Sequence, residues 1–309
     1  MPIIHQQISE LRAALQPYRG QRNDKPDNAQ RIALVPTMGN LHEGHLELVS
    51  IAKQHANIVV VSIFVNPTQF GEGEDFDSYP RTLDEDVAKL ATVGADYVFA
   101  PNVDEMYPVL PPSTSVLAGA ITNQLCGQSR LGHFDGVGIV VSKLFNIVQP
   151  DVAVFGQKDY QQLAIIKQLV RDLSYPIEIV GAPIVRAADG LALSSRNQYL
   201  SAAERKTAPV LHMELQRLAQ KLAQQLTCNK QGMQGFDVLL AETYQRISDA
   251  GFNIDYLEIK TDQLGTIDTI DTSDSSEANG NGRSSHLMIL VAAWLGRARL
   301  LDNQLVTVH

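Results

Sequence analysis

The chain has 309 residues, 44% of them hydrophobic and 19% charged, with a formal net charge of −9. That length supports two domains or one large one with a real core, and the acidic balance argues against a nucleic-acid binder relying on overall basicity. The two cysteines, Cys126 and Cys228, are far apart and form no CxxC, so no disulfide framework is implied and a reducing cytoplasm is expected.

The opening stretch "MPIIHQQISELRAALQ" carries Glu10 and lacks a long apolar core, so it does not read as a signal peptide. Ile4, Ile8, Leu11 and Leu15 fall at helical spacing and predict a first helix over 4–16. A polar, turn-rich linker over 18–30 and a buried strand over 31–36 follow. Next comes "PTMGNLHEGHLEL" (36–48), opening a helix that runs to about 55. "NIVVVSIFV" (57–65) is a second β-branched strand, far too short to span a membrane, and no membrane association is expected. A helix is predicted over 82–94, a strand over 95–101, a mostly buried helix over 136–150 stopped by Pro150, and a strand over 151–156. A helix over 158–173 and a strand over 175–185 complete this part. Strand alternating with helix predicts an α/β fold with a parallel sheet covered on both faces.

The pattern changes after about 185. Helices are predicted over 201–226 and 235–249, then strands over 254–260, 287–296 and 298–303, which suggests a smaller α+β domain. The stretch 271–286, "DTSDSSEANGNGRSSH", is almost free of apolar residues and predicts a polar loop.

Ligands in open parallel sheets bind at the carboxyl ends of the strands. Three motifs stand there. In the first, His42 and His45 lie three apart at a helix start, which puts both rings on one face. A helix N-terminus offers N–H groups and a positive dipole end to an anion, and Gly39 and Gly44 let a ligand approach the backbone. A phosphate cradle, a metal site and an ordinary structural pair all remain open, although HEGH is not HExxH and no third metal ligand stands at defined spacing. The second motif is "VNPTQFG" after strand 57–65. The third is "FGQKDYQQ", where Lys158 follows the glycine-marked strand end at Gly156; it is either a phosphate ligand or a solvated charge. Asp159 is placed to cap the following helix, and Gln162 lies one turn after Lys158. Further on, "DGLALSSRNQYLSAAE" gathers Ser194, Ser195 and Arg196, donors suited to phosphate, or simply a turn leading to a helix capped at Ser201. Asp84, Glu85 and Asp86 read equally well as a solvated helix start. Neither GxGxxG nor GxxxxGK[ST] occurs.

Taken in order, "PTMGNLHEGHLELV", "VSIFVNPTQFG", "YPRTLDED", "GHFDGVGIVVSKLFNIVQPDVAVFGQKDYQQL" and "DGLALSSRNQYL" resemble the pantoate–β-alanine ligase family. HEGH resembles the HIGH signature of tRNA-synthetase-like nucleotidyltransferases, and "LSSRN" stands where their KMSKS loop would be. The resemblance implies a Rossmann-like nucleotidyltransferase domain over 1–184 and a small α+β domain over 185–309. It implies that pantoate carboxylate attacks the α-phosphorus of ATP, and that β-alanine then attacks the pantoyl adenylate to give pantothenate and AMP. Mg²⁺ accompanying ATP, a homodimer and a cytoplasmic enzyme are also implied.

Carried onto this sequence, the resemblance assigns Met38, Gly39, Asn40, Leu41, His42, Glu43, Gly44 and His45 to ATP, with His45 as proton donor. It assigns Gly156, Gln157, Lys158, Asp159, Val185, Leu193, Ser194, Ser195 and Arg196 to ATP as well. Gln69 and Gln162 would hold pantoate, and Gln69, Asn66, His133 and Arg196 would border β-alanine. Catalysis would rest on His42, His45, Lys158, Ser194, Ser195 and Arg196, with the segment 189–197 as the candidate closing loop. The Mg²⁺ ligands are not indicated. Cys126 stands where the family usually has Glu, and Leu131 where it tends to have Pro. Another HxGH nucleotidyltransferase, or a nucleotide-binding regulator on a decayed scaffold, is the competing reading.

Overall fold

The computed structural model describes residues 1–19, 30–71, 73–74, 76–228, 235–267 and 286–307. Most of the linker expected over 18–30 and nearly all of the polar loop expected over 271–286 lie outside them. The chain divides into two compact units, Met1–Val185 and Arg186–His309.

The first unit runs β1 (Ile3–His5), α1 (Ile8–Arg19), β2 (Ile32–Thr37), α2 (Glu43–His55), β3 (Ile58–Ile63), α3 (Leu83–Thr92) and β4 (Tyr97–Phe99). It continues with α4 (Val103–Met106), α5 (Cys126–Ser129), α6 (His133–Val148), β5 (Val152–Gly156), α7 (Tyr160–Asp172) and β6 (Glu178–Ala182). The six strands form one sheet in the order β1-β4-β3-β2-β5-β6, with every pairing parallel. The chain winds outward from β2 through β3 to β4, then crosses over to β5 and β6. The sheet therefore has a topological switch point between β2 and β5, where open α/β sheets bind their ligands.

Near-continuous Val, Ile and Leu in β2, β3 and β5 suit strands covered on both faces. Ala33, Val35, Val59, Val61, Val152 and Val154 form one buried cluster with Val49 and Ala52 of α2 and Val87 and Leu90 of α3. Helix α6 packs on α1, α7 and β2, and most of its length is buried, as its predominantly apolar sequence requires.

Two sequence expectations needed correction in this first unit. Ile3–His5 is not the start of the first helix but a short parallel strand on Tyr97–Phe99. Three residues cannot hold a strand by local preference, and the edge of the sheet supplies their hydrogen bonds. Asp159 stands at the N-cap of α7 but makes no side-chain cap bond.

The second unit contains α8 (Ala202–Thr207), α9 (Val210–Cys228), α10 (Phe236–Asp249), β7 (Asn253–Thr261), β8 (Leu287–Leu295) and β9 (Ala298–Val306). The single helix expected over 201–226 is two, because Pro209 has no N–H to continue the first and suits the start of the second. Ser201 and Glu204 form the capping box that starts α8. The three strands make an antiparallel sheet, β7-β8-β9. Leu211, Leu215, Leu218 and Leu222, one face of α9, are buried with Ile289, Val291 and Ala293, one face of β8. Each such leucine contributes roughly 1.5–3 kcal/mol of burial.

Candidate active site

The turn Thr37–Leu41 leaves the carboxyl end of β2 with Gly39 at φ +83° and Asn40 at φ +51°. Two left-handed residues in succession need outside support. Asp86 on α3 provides it. Its side chain is fully buried. Oδ2 accepts from the Asn40 N–H at 2.9 Å and from Thr82 Oγ1 at 3.1 Å, and Oδ1 accepts from the Leu41 N–H at 2.8 Å. One turn further along α3, Lys89 Nζ donates to the Leu41 carbonyl at 2.8 Å. The solvated helix start expected for 84–86 therefore fits only Asp84 and Glu85, which are not buried. The sequence signal that was missed is an acid beside Val87 and Leu90 on the apolar face of α3.

The clamped turn delivers His42 to the N-cap of α2 and His45 to its third position. The two imidazoles make a reciprocal capping box: His42 Nδ1 accepts from the Gly44 N–H at 3.1 Å, and His45 Nδ1 accepts from the His42 N–H at 3.3 Å. Their ring centroids are 4.2 Å apart. Since both Nδ1 atoms are acceptors, each neutral ring carries its proton on Nε2. Burial, then the Lys158 ammonium, lowers His42 to about 4; burial, then His42 and Lys158, lowers His45 to about 3. The pair is thus neutral at physiological pH, with two Nε2–H donors. This changes how the helix start can hold an anion. The N–H groups of His42, Gly44, His45 and Leu46 are engaged within the turn, so the open backbone cradle expected here is largely closed.

Lys158 belongs to the short turn Gln157–Asp159 at the end of β5, the strand beside β2. Its Nζ lies 3.4 Å from Asp159 Oδ2. A Cβ on Gly156 would meet only Leu48, at an ordinary 4.0 Å, so no protein neighbour demands glycine there.

After β3, Asn66 caps the turn Pro67–Gln69. Asn66 is buried; its Nδ2 donates to Gln69 Oε1 at 3.1 Å and to the Gly136 carbonyl at 3.0 Å, and its Oδ1 accepts from Tyr107 Oη at 2.9 Å. Gln69 Nε2 reaches Met38 Sδ at 2.9 Å, tying this amide cluster to the turn after β2. His133, at the start of α6, meets the Gln69 carbonyl through Nδ1 at 2.8 Å. Burial and the nearby Arg130 lower it to about 4. Gln162 is half-buried on the first turn of α7, and Val185 ends the first unit. Tyr107, Arg130 and Glu74 join this network without having been singled out from the sequence.

Leu193, Ser194, Ser195 and Arg196 lie in the second unit. Ser194 Oγ accepts from the Arg196 N–H at 3.2 Å and caps the turn Ser195–Tyr199. Asn197 Nδ2 donates to the Ala192 carbonyl at 3.0 Å, and Arg186 pairs with Asp302 through two 2.7 Å bonds at the base of the segment.

The sequence profile described as Pantoate-beta-alanine ligase matches residues 3–305. The pantothenate synthetase of Psychrobacter arcticus is 72% identical over 309 residues, covering 100% of this chain and 99% of the relative. That of Acinetobacter baylyi is 52% identical over 96% of this chain and 95% of the relative. Among solved structures, pantothenate synthetase from Thermus thermophilus superposes with a TM-score of 0.78 at 41% identity, covering 98% of each chain. Pantoate-beta-alanine ligase from Francisella tularensis, solved with beta-gamma ATP and beta-alanine, gives a TM-score of 0.73 at 31% identity, covering 99% of this chain and 98% of that one. With a profile match across nearly its whole length and relatives this similar, the chain belongs to the pantoate-beta-alanine ligase family.

Proposed function

We propose that this chain condenses pantoate with β-alanine to give pantothenate, consuming ATP and releasing AMP and pyrophosphate through a pantoyl adenylate. The observation that carries the chemistry is the convergence at three adjacent strand ends: two neutral imidazole donors after β2, a lysine after β5, and a neutral amide cluster after β3.

In the first step a pantoate carboxylate oxygen bonds to the α-phosphorus, and the bond from that phosphorus to the bridging oxygen breaks, with its electron pair leaving on pyrophosphate. Negative charge builds on phosphate oxygens. His42 Nε2–H, His45 Nε2–H and the Lys158 ammonium are the donors assigned to them. Without ligand, burial keeps His45 a neutral imidazole whose Nε2–H is the donor offered to the leaving pyrophosphate, consistent with its assignment as proton donor. Preorganised donors of this kind need no reorientation during reaction.

Met38–His45, Gly156–Asp159, Val185 and Leu193–Arg196 are assigned to ATP, with Ser194, Ser195 and Arg196 as further phosphate donors. Gln69 and Gln162 are assigned to pantoate. Neutral amides suit this role, because a close cation would stabilise the attacking carboxylate and slow it. Asn66, His133 and Gln69 border the second substrate. There the β-alanine nitrogen bonds to the acyl carbon and gives up a proton to solvent, and AMP departs with the electron pair of the broken acyl–oxygen bond.

Among the described residues no group of three His, Cys, Asp or Glu side chains is gathered to hold a metal. Mg²⁺ would enter as the companion of ATP, where it would screen phosphate charge. No helix among the described residues is long and apolar enough to cross a membrane. The family resemblance further supports a cytoplasmic homodimer.

The test is ATP–pyrophosphate exchange with pantoate present and β-alanine absent. Pantoate-dependent exchange is expected. Exchange that ignores pantoate would assign the site to another acceptor, and ATP binding without any exchange would assign it to a regulator.

A further inference from the structure

We propose that Glu74 is a positioning residue for the substrate pocket: acting through Arg130 and His133, it fixes the backbone of Gln69. The link to pantoate rests on the assignment of Gln69 above; the hydrogen-bond relay stands on its own geometry.

The relay begins in the segment between β3 and α3. Glu74 Oε1 accepts from Arg130 Nε at 2.7 Å, and Oε2 accepts from Nη2 at 2.7 Å. This is the two-pronged geometry that aligns a guanidinium as well as neutralising it. The Glu74 backbone is itself held, its N–H donating to the Gly71 carbonyl at 3.1 Å. The side chains of Arg130 and Glu74 are only 20% and 27% exposed, so the pair is shielded from much of the solvent that weakens surface ion pairs.

With one edge of Arg130 committed to Glu74, Nη1 stands 2.9 Å from His133 Nε2. A guanidinium has only donors, so Nε2 must accept. The ring proton is thereby placed on Nδ1, which donates to the Gln69 carbonyl at 2.8 Å. One carboxylate thus orients a cation, the cation selects a tautomer, and the tautomer caps the carbonyl of the turn carrying Gln69. Asn66 holds the other end of that residue, its side-chain oxygen.

Cys126, one helical turn before Arg130, is buried, and its N–H donates to Gln161 Oε1 at 3.0 Å. Arg130 takes its carboxylate from 56 residues away in sequence.

The test uses the full chain with ¹⁵N-labelled histidine and long-range proton–nitrogen correlation at neutral pH. The parent is expected to show His133 protonated at Nδ1. Glu74→Gln is expected to give a mixture of tautomers, because the neutral amide no longer aligns Arg130. It should also raise the pantoate KM about five- to tenfold, the scale of one lost hydrogen bond, with the ATP KM within about twofold. In an Arg130→Met background, Glu74→Gln should add no further change. An unaltered tautomer in Glu74→Gln, or a full additional loss on top of Arg130→Met, would overturn the proposal. Pantoate-dependent exchange by the parent judges the ligase reading separately.

Discussion

Asp86→Asn tests whether the clamp on the turn after β2 holds the histidine pair in place. The carboxylate serves three donors with two acceptor atoms: Asn40 N–H and Thr82 Oγ1 on Oδ2, Leu41 N–H on Oδ1. An asparagine has one oxygen. In its better orientation it keeps the Oδ2 partners and turns its NH₂ toward the Leu41 N–H. That leaves a buried backbone donor unpaired, at a cost of about 1–3 kcal/mol, and removes one bond to a charged acceptor. A loss of about 2–3 kcal/mol corresponds to roughly 4–12 °C in Tm for a unit of this size. Relaxation of the left-handed turn also moves the two Nε2–H donors, and a misplaced donor of this kind lowers rate about 10²–10³-fold. The assay pairs thermal unfolding with pantoate-dependent ATP–pyrophosphate exchange. Asp84→Asn and Glu85→Gln are the controls, both solvent-accessible and expected to stay within about 0.5 kcal/mol. If Asp86→Asn melts within about 2 °C of the parent, less than about 1 kcal/mol for a unit of this size, and exchanges at full rate, the clamp is not what presents the histidines.

Lys158→Ala should lower exchange at least about 10²-fold while the protein stays folded by circular dichroism; near-normal exchange would remove Lys158 from the chemistry. Gly136→Ala should raise the pantoate KM and cost about 1–3 kcal/mol, because its Cβ would run into the Thr68 carbonyl oxygen and stand 2.6 Å from the Gln69 nitrogen; an unchanged KM would show that the Asn66–Gln69 turn tolerates displacement. His45 is held near pH 3, against about 6.5 when unfolded, so between these values the unfolded chain binds the extra proton. Its contribution to stability is complete above about 6.5 and is lost as pH falls toward 3. His45→Asn should therefore flatten the acid side of the stability curve, read as urea midpoints at several pH values, and a parallel curve would contradict the buried neutral imidazole.

The sequence by itself determined which stretches build the parallel sheet, since apolar runs such as 31–36, 57–65 and 151–156 have few other ways to be buried. It also placed HEGH and QKD at strand ends, where local spacing alone sets up a helix start, and the order of the motifs carried the family. Partners remote along the chain are not written in local periodicity. Three residues, Ile3–His5, became a strand only because Tyr97–Phe99 offered an edge. Asp86 reads like its solvent-accessible neighbours Asp84 and Glu85 until α3 folds back and seals it beneath the Asn40–Leu41 peptide. The HEGH spacing put two rings together, but only the folded turn set each Nδ1 onto a backbone N–H and left each Nε2–H as the donor. Glu74 and Arg130 are two charges among many in the sequence. Tertiary structure made them a pair, because the segment after β3 brings the Glu74 carboxylate within reach of the partly buried Arg130 guanidinium.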